Sequence, residues 1–366
     1  MEFFIQQAEL VKGLHRVQGI VDKKSTLTVL SHVLIESLSD SEIRISCTDY
    51  DASLVGVYPA EVLKQGSVAI SGKSLFDIVR SLPGERVHIS ADASSRVEVK
   101  AGSSFFRIAG IAADEFPKVA DAADVSYVTF DAQSLLEMIE RTHFSMSSDE
   151  TRMNLNGVFF EIGNQSARMV STDGHRLSKA EVALPLATEL QATGILHKKG
   201  VYELRRLLAG EGECQVGFKD GSVYLKVDTS TMIVRQIDDD FPDYQKVIPA
   251  DNEVTVEVSR GHLFDALKRM SLVTSNKTWG VKVELKPDLL VVASSQPDLG
   301  EGREELPVAY VGRELVIGYN LKYLLDVLGA LKGETVNLST NDEYSAMVIT
   351  SNDEPGTLFV IMPMRI

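Results

Sequence analysis

The sequence predicts an α+β protein made of three tandem copies of one two-helix, multi-stranded domain. Three observations predict it. The phrase FPKV at Phe116–Val119 returns as FPDYQKV at Phe241–Val247, its phenylalanine 125 residues on. The run SLFDIVRSLPGE (Ser74–Glu85) returns as GVYELRRLLAGE (Gly200–Glu211) and again in NLKYLLDVLGALKGE (Asn320–Glu334). Thr48-Asp49 and Thr172-Asp173 coincide at a spacing of 124. A period this long belongs to whole domains, not to solenoid turns.

Each copy opens on an amphipathic helix: QAELVKGLHRVQGIV (Gln7–Val21), DAQSLLEMIERTHF (Asp131–Phe144) or SRGHLFDALKRMSLV (Ser259–Val273). Leu10, Leu135 and Leu263 hold equivalent apolar positions. Alternating, strand-like stretches follow: EIRISCTDYDASLV from Glu42, SARMVSTDGHRLSK from Ser166 and LLVVASSQPDL from Leu289. The second helix of each copy runs into Gly-Glu, where glycine accommodates a left-handed cap, and then into RVHIS, CQVGF or TVNLS. Hairpin-like closers end the copies at Arg96–Ile111, Ser222–Ile237 and Ala346–Met362. Helices are thus expected over 6–21, 72–82, 131–143, 198–208, 259–270 and 320–332. The short polar joints ADAADVSY (Ala120–Tyr127) and IPADNEVT (Ile248–Thr255) give domains 1–124, 125–250 and 251–366, set in a rigid arc.

No apolar run approaches the length of a membrane span, and MEFFIQQAEL lacks the basic start of a secretory signal. Cys47 and Cys214, the only cysteines, lie far apart, so no disulfide framework is indicated and a reducing cytoplasm is expected. The net charge of -15 by itself argues against nucleic acid. Its distribution argues otherwise. The six expected helices carry 14 Lys and Arg against 8 Asp and Glu, leaving -21 for the rest of the chain. A basic helical surface on an acidic body attracts a polyanion to one side only, and it suits sparse phosphate contacts without base readout.

Motifs that carry catalysis fare poorly. SGKS (Ser71–Ser74) lacks the glycine that a phosphate loop needs at position 67, which is serine. STDGHRLSK (Ser171–Lys179) gathers Asp173, His175 and Arg176, but Asp-Gly there reads first as a turn between strands. The seven histidines show no HxxxH spacing and the cysteines never pair as CxxC, so no metal and no cofactor is expected. The terminal FVIMPMRI reads equally as core strand or as a methionine-rich surface for varied partners.

Three repeats with TDGHRL, FPDY and a terminal MPMR resemble the β subunits of bacterial DNA polymerase III, the sliding clamps, over the whole chain. The resemblance implies a non-catalytic homodimeric ring with helices lining its hole. Such a ring encircles double-stranded DNA without reading sequence and tethers polymerases for processive synthesis. A clamp-loader ATPase opens and places it. Polymerases, the loader and mismatch-repair proteins would dock through short linear peptides, with Leu or Phe filling an apolar slot. Onto that pocket the resemblance maps Arg152, Leu155, Thr172, Gly174, His175, Arg176, Leu177, Pro242, Lys246 and Val247. Tyr323, Ala346, Val360, Met362, Pro363, Met364 and Arg365 complete it. Lys246 and Ala346 replace a frequent arginine and serine, and Met153 and Asn154 replace two tyrosines associated with DNA contact. Lys24, Lys73, Arg80, Lys198 and Lys199 keep the basic character of the family's DNA-facing surface. Phe106, Ile108, Leu272 and Val273 fall at its dimer contact. Acidic Asp298, Glu301, Glu304 and Glu305 would face Arg96, Lys100 or Arg107 across that seam.

Two other readings stay open. A peptide-binding scaffold that never touches DNA explains the repeats and the terminal pocket. An enzyme using Asp173 and His175 would need a second oriented base and a cofactor, which the sequence does not offer.

Overall fold

The computed structural model describes residues 1–21, 27–184, 188–210, 212–275 and 278–365. Among them are six α-helices: α1 (Gln7–Val17), α2 (Gly72–Ser81), α3 (Ala132–Thr142), α4 (Lys198–Leu207), α5 (Arg260–Met270) and α6 (Leu321–Ala330). The sequence placed all six. Their starts are set by side chains that accept otherwise unpaired main-chain N–H groups. Asp131 takes the amide of Ser134, Ser71 that of Ser74, and Asn320 those of Lys322 and Tyr323. The SGKS motif is therefore a helix cap.

Two expectations about helix ends need correction. The first helix stops at Val17 rather than running to Val21. Gln18 turns its amide back onto the carbonyls of Leu14 and Gly72, and Gly19 follows. Ile20 and Val21 are still buried, but off the helix. Of the three Gly-Glu stops, only Gly84 is left-handed, with φ +89°. Gly333 instead gives its N–H to the Glu354 carboxylate, which also takes the amide of Lys332.

The chain divides into two compact units, Met1–Leu136 with Lys199–Gln236, and Glu137–Lys198 with Ile237–Ile366. In the first unit, α1 and α2 bury Leu10, Leu14, Leu75 and Val79 against the sheets. A β-carbon on Gly13 would meet the Tyr58 ring at 2.8 Å, so glycine is what lets α1 lie so close to the strand beneath. One antiparallel sheet runs in the order Ser67–Ser71, His32–Ser37, Glu42–Thr48, Ala52–Pro59, Ser230–Ile237, Ser222–Val227, Glu213–Lys219, Tyr127–Asp131. Its first four strands come from the first repeat and its last four from the second. The strands Glu2–Gln6, Arg86–Ala91, Arg96–Ala101 and Ser104–Ile111 form a second sheet, flanked by Glu61–Lys64.

The second unit repeats the plan. Its long sheet is ordered Ala192–His197, Gly157–Ile162, Ser166–Thr172, Arg176–Ala183, Thr357–Ile361, Met347–Thr350, Thr335–Thr340, Val254–Ser259. Again four strands come from one repeat and four from the next. A four-stranded sheet remains: Gly300–Pro307, Leu289–Gln296, Gly280–Lys286, Leu315–Asn320. α5 and α6 pack Leu263, Leu267, Leu324 and Leu328 into a core with Val281, Val292 and Tyr319. Each such side chain contributes about 1.5–3 kcal/mol by leaving water.

Candidate functional site

The TDGHR segment is a turn that its own side chains tie shut. Asp173 accepts the amides of His175 (2.9 Å) and Arg176 (3.0 Å) on one carboxylate oxygen. The Thr172 hydroxyl donates to the Arg176 carbonyl at 2.7 Å and accepts from the Gly174 amide. Gly174 sits at φ +88°, and Arg152 covers it, donating to the Asp173 carbonyl at 3.3 Å. Asp173 thus orients main chain. It does not hold the exposed His175 ring, so the two form no acid–base dyad.

Arg176 anchors the turn. Its buried guanidinium, 9% exposed, donates to Asp173 (3.1 Å), to Asp326 on α6 (2.6 Å) and to the Phe144 carbonyl. It also lies 4.2 Å from the centre of the Tyr323 ring. Beneath it, Leu177 and Val360 face each other on paired strands and form an apolar cluster with Val170 and Tyr244. Phe159, Phe241 and Ala346 pack at the edge of that cluster, with the two phenyl rings stacked at 5.1 Å. Leu155 is buried on the short helical turn Met153–Leu155.

A second short turn, Tyr244–Val247, presents Val247 to solvent, and exposed Pro242 precedes it. Lys246 pairs with Asp243 at 2.8 Å. The C-terminal segment lies alongside: the Met362 amide donates to the His175 carbonyl and the Met364 amide to Gly318, both at 2.9 Å. Met362, Pro363 and Met364 are half-buried, and Arg365 is exposed. The result is an apolar floor edged by the Thr172–Arg176 turn and the half-buried methionines of the C-terminal segment, with His175 and Arg152 at the rim. That arrangement suits an extended peptide with one or two apolar anchors.

Sequence reasoning missed the ion network behind this floor. Arg168 bonds Glu181 (2.9 Å), Glu161 (2.9 Å) and the Tyr244 hydroxyl (3.1 Å), bracing the turn that carries Val247. Arg168 and Glu181 stand directly opposite on neighbouring strands, a pairing that counting outward from the Asp173-Gly174 turn could have shown. Hydrogen bonding to Arg168 holds the Glu181 carboxyl down at about 2, with Lys179 adding to the effect. A depressed carboxylate stabilises the fold above its unfolded value and stops doing so as pH falls through its folded one. Urea midpoints should therefore fall as pH drops from the usual carboxylate range toward 2. Glu181→Gln should flatten that part of the profile.

The other predicted positions are scattered over the surface. Lys73 is exposed, Lys198 half-buried, and neither forms an ion pair among the described residues. Arg80 pairs with Asp77 at 3.8 Å and covers Phe76. Lys199 is bound to the buried carboxylate of Asp49. Lys24 lies outside the described residues. Asn154 donates to the Asp240 carbonyl, and Met153 is 62% exposed. Leu272 is 78% and Phe106 39% exposed, while Ile108 and Val273 are partly covered. Lys100 and Arg107 already pair with Glu98, Glu304 with Arg269 and Glu305 with Arg303. Of the charges expected at a seam, Arg96, Asp298 and Glu301 have no ion pair among the described residues.

Comparison with known proteins follows this geometry from end to end. The N-terminal, central and C-terminal domains of the DNA polymerase III beta subunit match residues 1–120, 129–243 and 245–365. A beta sliding clamp of Pseudomonas putida is 33% identical over 370 residues, covering 100% of both chains. The chain belongs to the beta sliding clamp family. The crystal structure of the DNA polymerase III subunit beta from Pseudomonas aeruginosa superimposes with a TM-score of 0.95 at 31% identity, covering 100% of each chain. A sliding clamp from the same organism, solved bound to griselimycin, gives 0.93 at 32% with the same coverage. Membership establishes the clamp fold with its three domains and favours the clamp over a scaffold that avoids DNA. Among the described residues no helix is long and apolar enough to cross a membrane, and no cluster of His, Cys, Asp and Glu could hold a metal.

Proposed function

We propose that this chain is a DNA polymerase sliding clamp: two copies close into a ring around duplex DNA and hold polymerases there without catalysing a reaction themselves. The observation that carries this is the end-to-end match to beta sliding clamps. The domains are taken as 1–124, 125–250 and 251–366, and the site of action as the cytoplasm. A clamp loader would place the ring.

The sheets support closure by a second copy. Within each unit, four strands of one repeat join four of the next through a single edge pairing: Ala52–Pro59 with Ser230–Ile237, and Arg176–Ala183 with Thr357–Ile361. Two half-sheets are left, one ending on Ser104–Ile111 and the other on Gly300–Pro307. By the same rule these edges pair between chains, with Phe106, Ile108, Leu272 and Val273 excluding water beside them. Edges left open over most of their length seek a partner. Leu272→Ala should raise the dimer dissociation constant at least tenfold, read by sedimentation across a dilution series.

Lys73, Arg80, Lys198 and Lys199 are assigned to phosphates, each contributing weakly. Alanine at both Lys198 and Lys199 should lower loading efficiency and reduce the salt slope of DNA binding by about 1–2. An unchanged slope would remove both from the DNA surface. The Leu177–Val360 floor, with the turn at Thr172–Arg176 and the Met362–Arg365 tail, is assigned to Leu or Phe of partner peptides from polymerases, the loader and mismatch-repair proteins.

The deciding experiment loads the protein onto nicked circular DNA and then linearises the DNA. A ring is retained on the circle and slides off the cut ends. Equal retention on both would mean ordinary surface binding and would defeat the proposal.

A further inference from the structure

We infer that the open edge of the Leu315–Asn320 strand receives, as an added β-strand, the residues that flank a partner peptide's apolar motif. The inference rests on the peptide-pocket reading above and names what lies next to that pocket. The strand pairs with Gly280–Lys286 on one side, from Leu285↔Leu315 to Gly280↔Asn320. On its other side one main-chain bond is present among the described residues, from the Met364 amide to the Gly318 carbonyl. Alternate residues of a strand turn their main-chain groups to the same side, so Val316 faces outward with Gly318. Neither the Val316 N–H and C=O nor the Gly318 N–H has a main-chain partner among the described residues. In the first repeat the counterpart strand Ser67–Ser71 has this edge closed, with Ala69 opposite Ile111 and Ile70 opposite Gly110. The fold fills this edge with a strand in the first repeat, and here the described residues cover it at one point.

A groove of about 1400 Å³ spreads over the face of this four-stranded sheet, past Lys282, Glu284 and Arg303, and reaches the edge at Val316, Gly318, Tyr344 and Met364. Val316 is 43% and Tyr344 87% exposed, so apolar surface awaits cover. The groove and the pocket share the C-terminal tail: Pro363, Met364 and Arg365 line the groove, and Met362 ties the same tail to His175. Arg365 has no ion pair among the described residues and selects an acidic residue in the flank. The occupant is thus the extended, acidic flank of the same peptide whose Leu or Phe fills the floor. Main-chain bonds supply affinity and alternate side chains supply preference.

Fluorescence anisotropy with the full-length protein tests this using three labelled peptides. One carries a Leu/Phe motif alone, and the others extend it by Glu-Val-Glu-Val at one end or the other. One extension should tighten binding about tenfold, as two added main-chain bonds would. N-methylation of alternate amides in that flank should abolish the gain, and methylation of the intervening amides should not. Arg365→Glu should weaken the extended peptide several-fold more than it weakens the short one. Equal affinity of all three peptides, or a gain insensitive to N-methylation, overturns the inference. Failure of the short peptide to bind, or its undiminished binding to Leu177→Asp, instead refutes the pocket itself and takes this inference with it.

Discussion

Arg176→Ala should destabilise the second unit by about 3 kcal/mol and weaken peptide binding at least tenfold. The substitution leaves the carboxylate of Asp326 and the carbonyl of Phe144 without their donor, and strips one oxygen of Asp173. Removing one partner of a buried ion pair costs far more than the pair contributes, because the remaining charge stays desolvated. The effect on binding has a separate cause. Arg176 joins the turn that frames the apolar floor to Tyr323 and Asp326 on α6, so its loss frees the rim. Arg176→Lys keeps the charge but not the planar fork and should recover less than half of either loss. Urea unfolding and peptide titration on the same samples check both. A variant within 1 kcal/mol of the parent would show that the turn holds without its anchor.

Glu354→Ala should cost a comparable amount, about 3 kcal/mol, without touching the pocket. Glu354 accepts the amides of Lys332 (2.6 Å) and Gly333 (2.9 Å) on one oxygen and pairs with Arg141 at 2.6 Å through the other. Arg141 also meets Glu137 at 3.1 Å, and Glu137 meets the Lys332 ammonium at 2.7 Å. One buried carboxylate therefore closes the end of α6 and fastens it to α3. Glu354→Gln retains an acceptor for the two amides and should lose only about 1–2 kcal/mol. The order Ala below Gln below parent is the signature. Equal losses for both variants would place the stabilisation in the ion pair alone.

Local features were readable in the sequence and distant pairings were not. The helices came from periodicity, and the turn at Asp173-Gly174 from its chemistry, since Asx side chains and glycine do there what they do in any chain. Alternation identified the strands but told only which face each side chain takes, never which strand lies beside it. Hence the edge-to-edge joining of four-stranded half-sheets from neighbouring repeats was invisible. Asp326 could not be matched to Arg176 because 150 residues separate them. The missed end of α1 depended on Gln18 reaching Gly72, again a distant partner. The helix charge count was sound as arithmetic but overstated free charge: Lys12, Lys199, Arg269 and Lys332 are each occupied by a carboxylate of the same chain. The pocket, DNA-facing and dimer positions were drawn from family resemblance rather than from pattern.

Sheets shared across two repeats have a consequence for how this protein would break. What was copied three times in the gene is not what melts as one piece. A fragment cut at residue 124 would keep Ala52–Pro59 yet lose Ser230–Ile237, its hydrogen-bonded neighbour, and so offer a raw seam to other fragments. Excised single copies should therefore clump, and a cut after residue 250 only moves the seam, because Arg176–Ala183 then loses Thr357–Ile361.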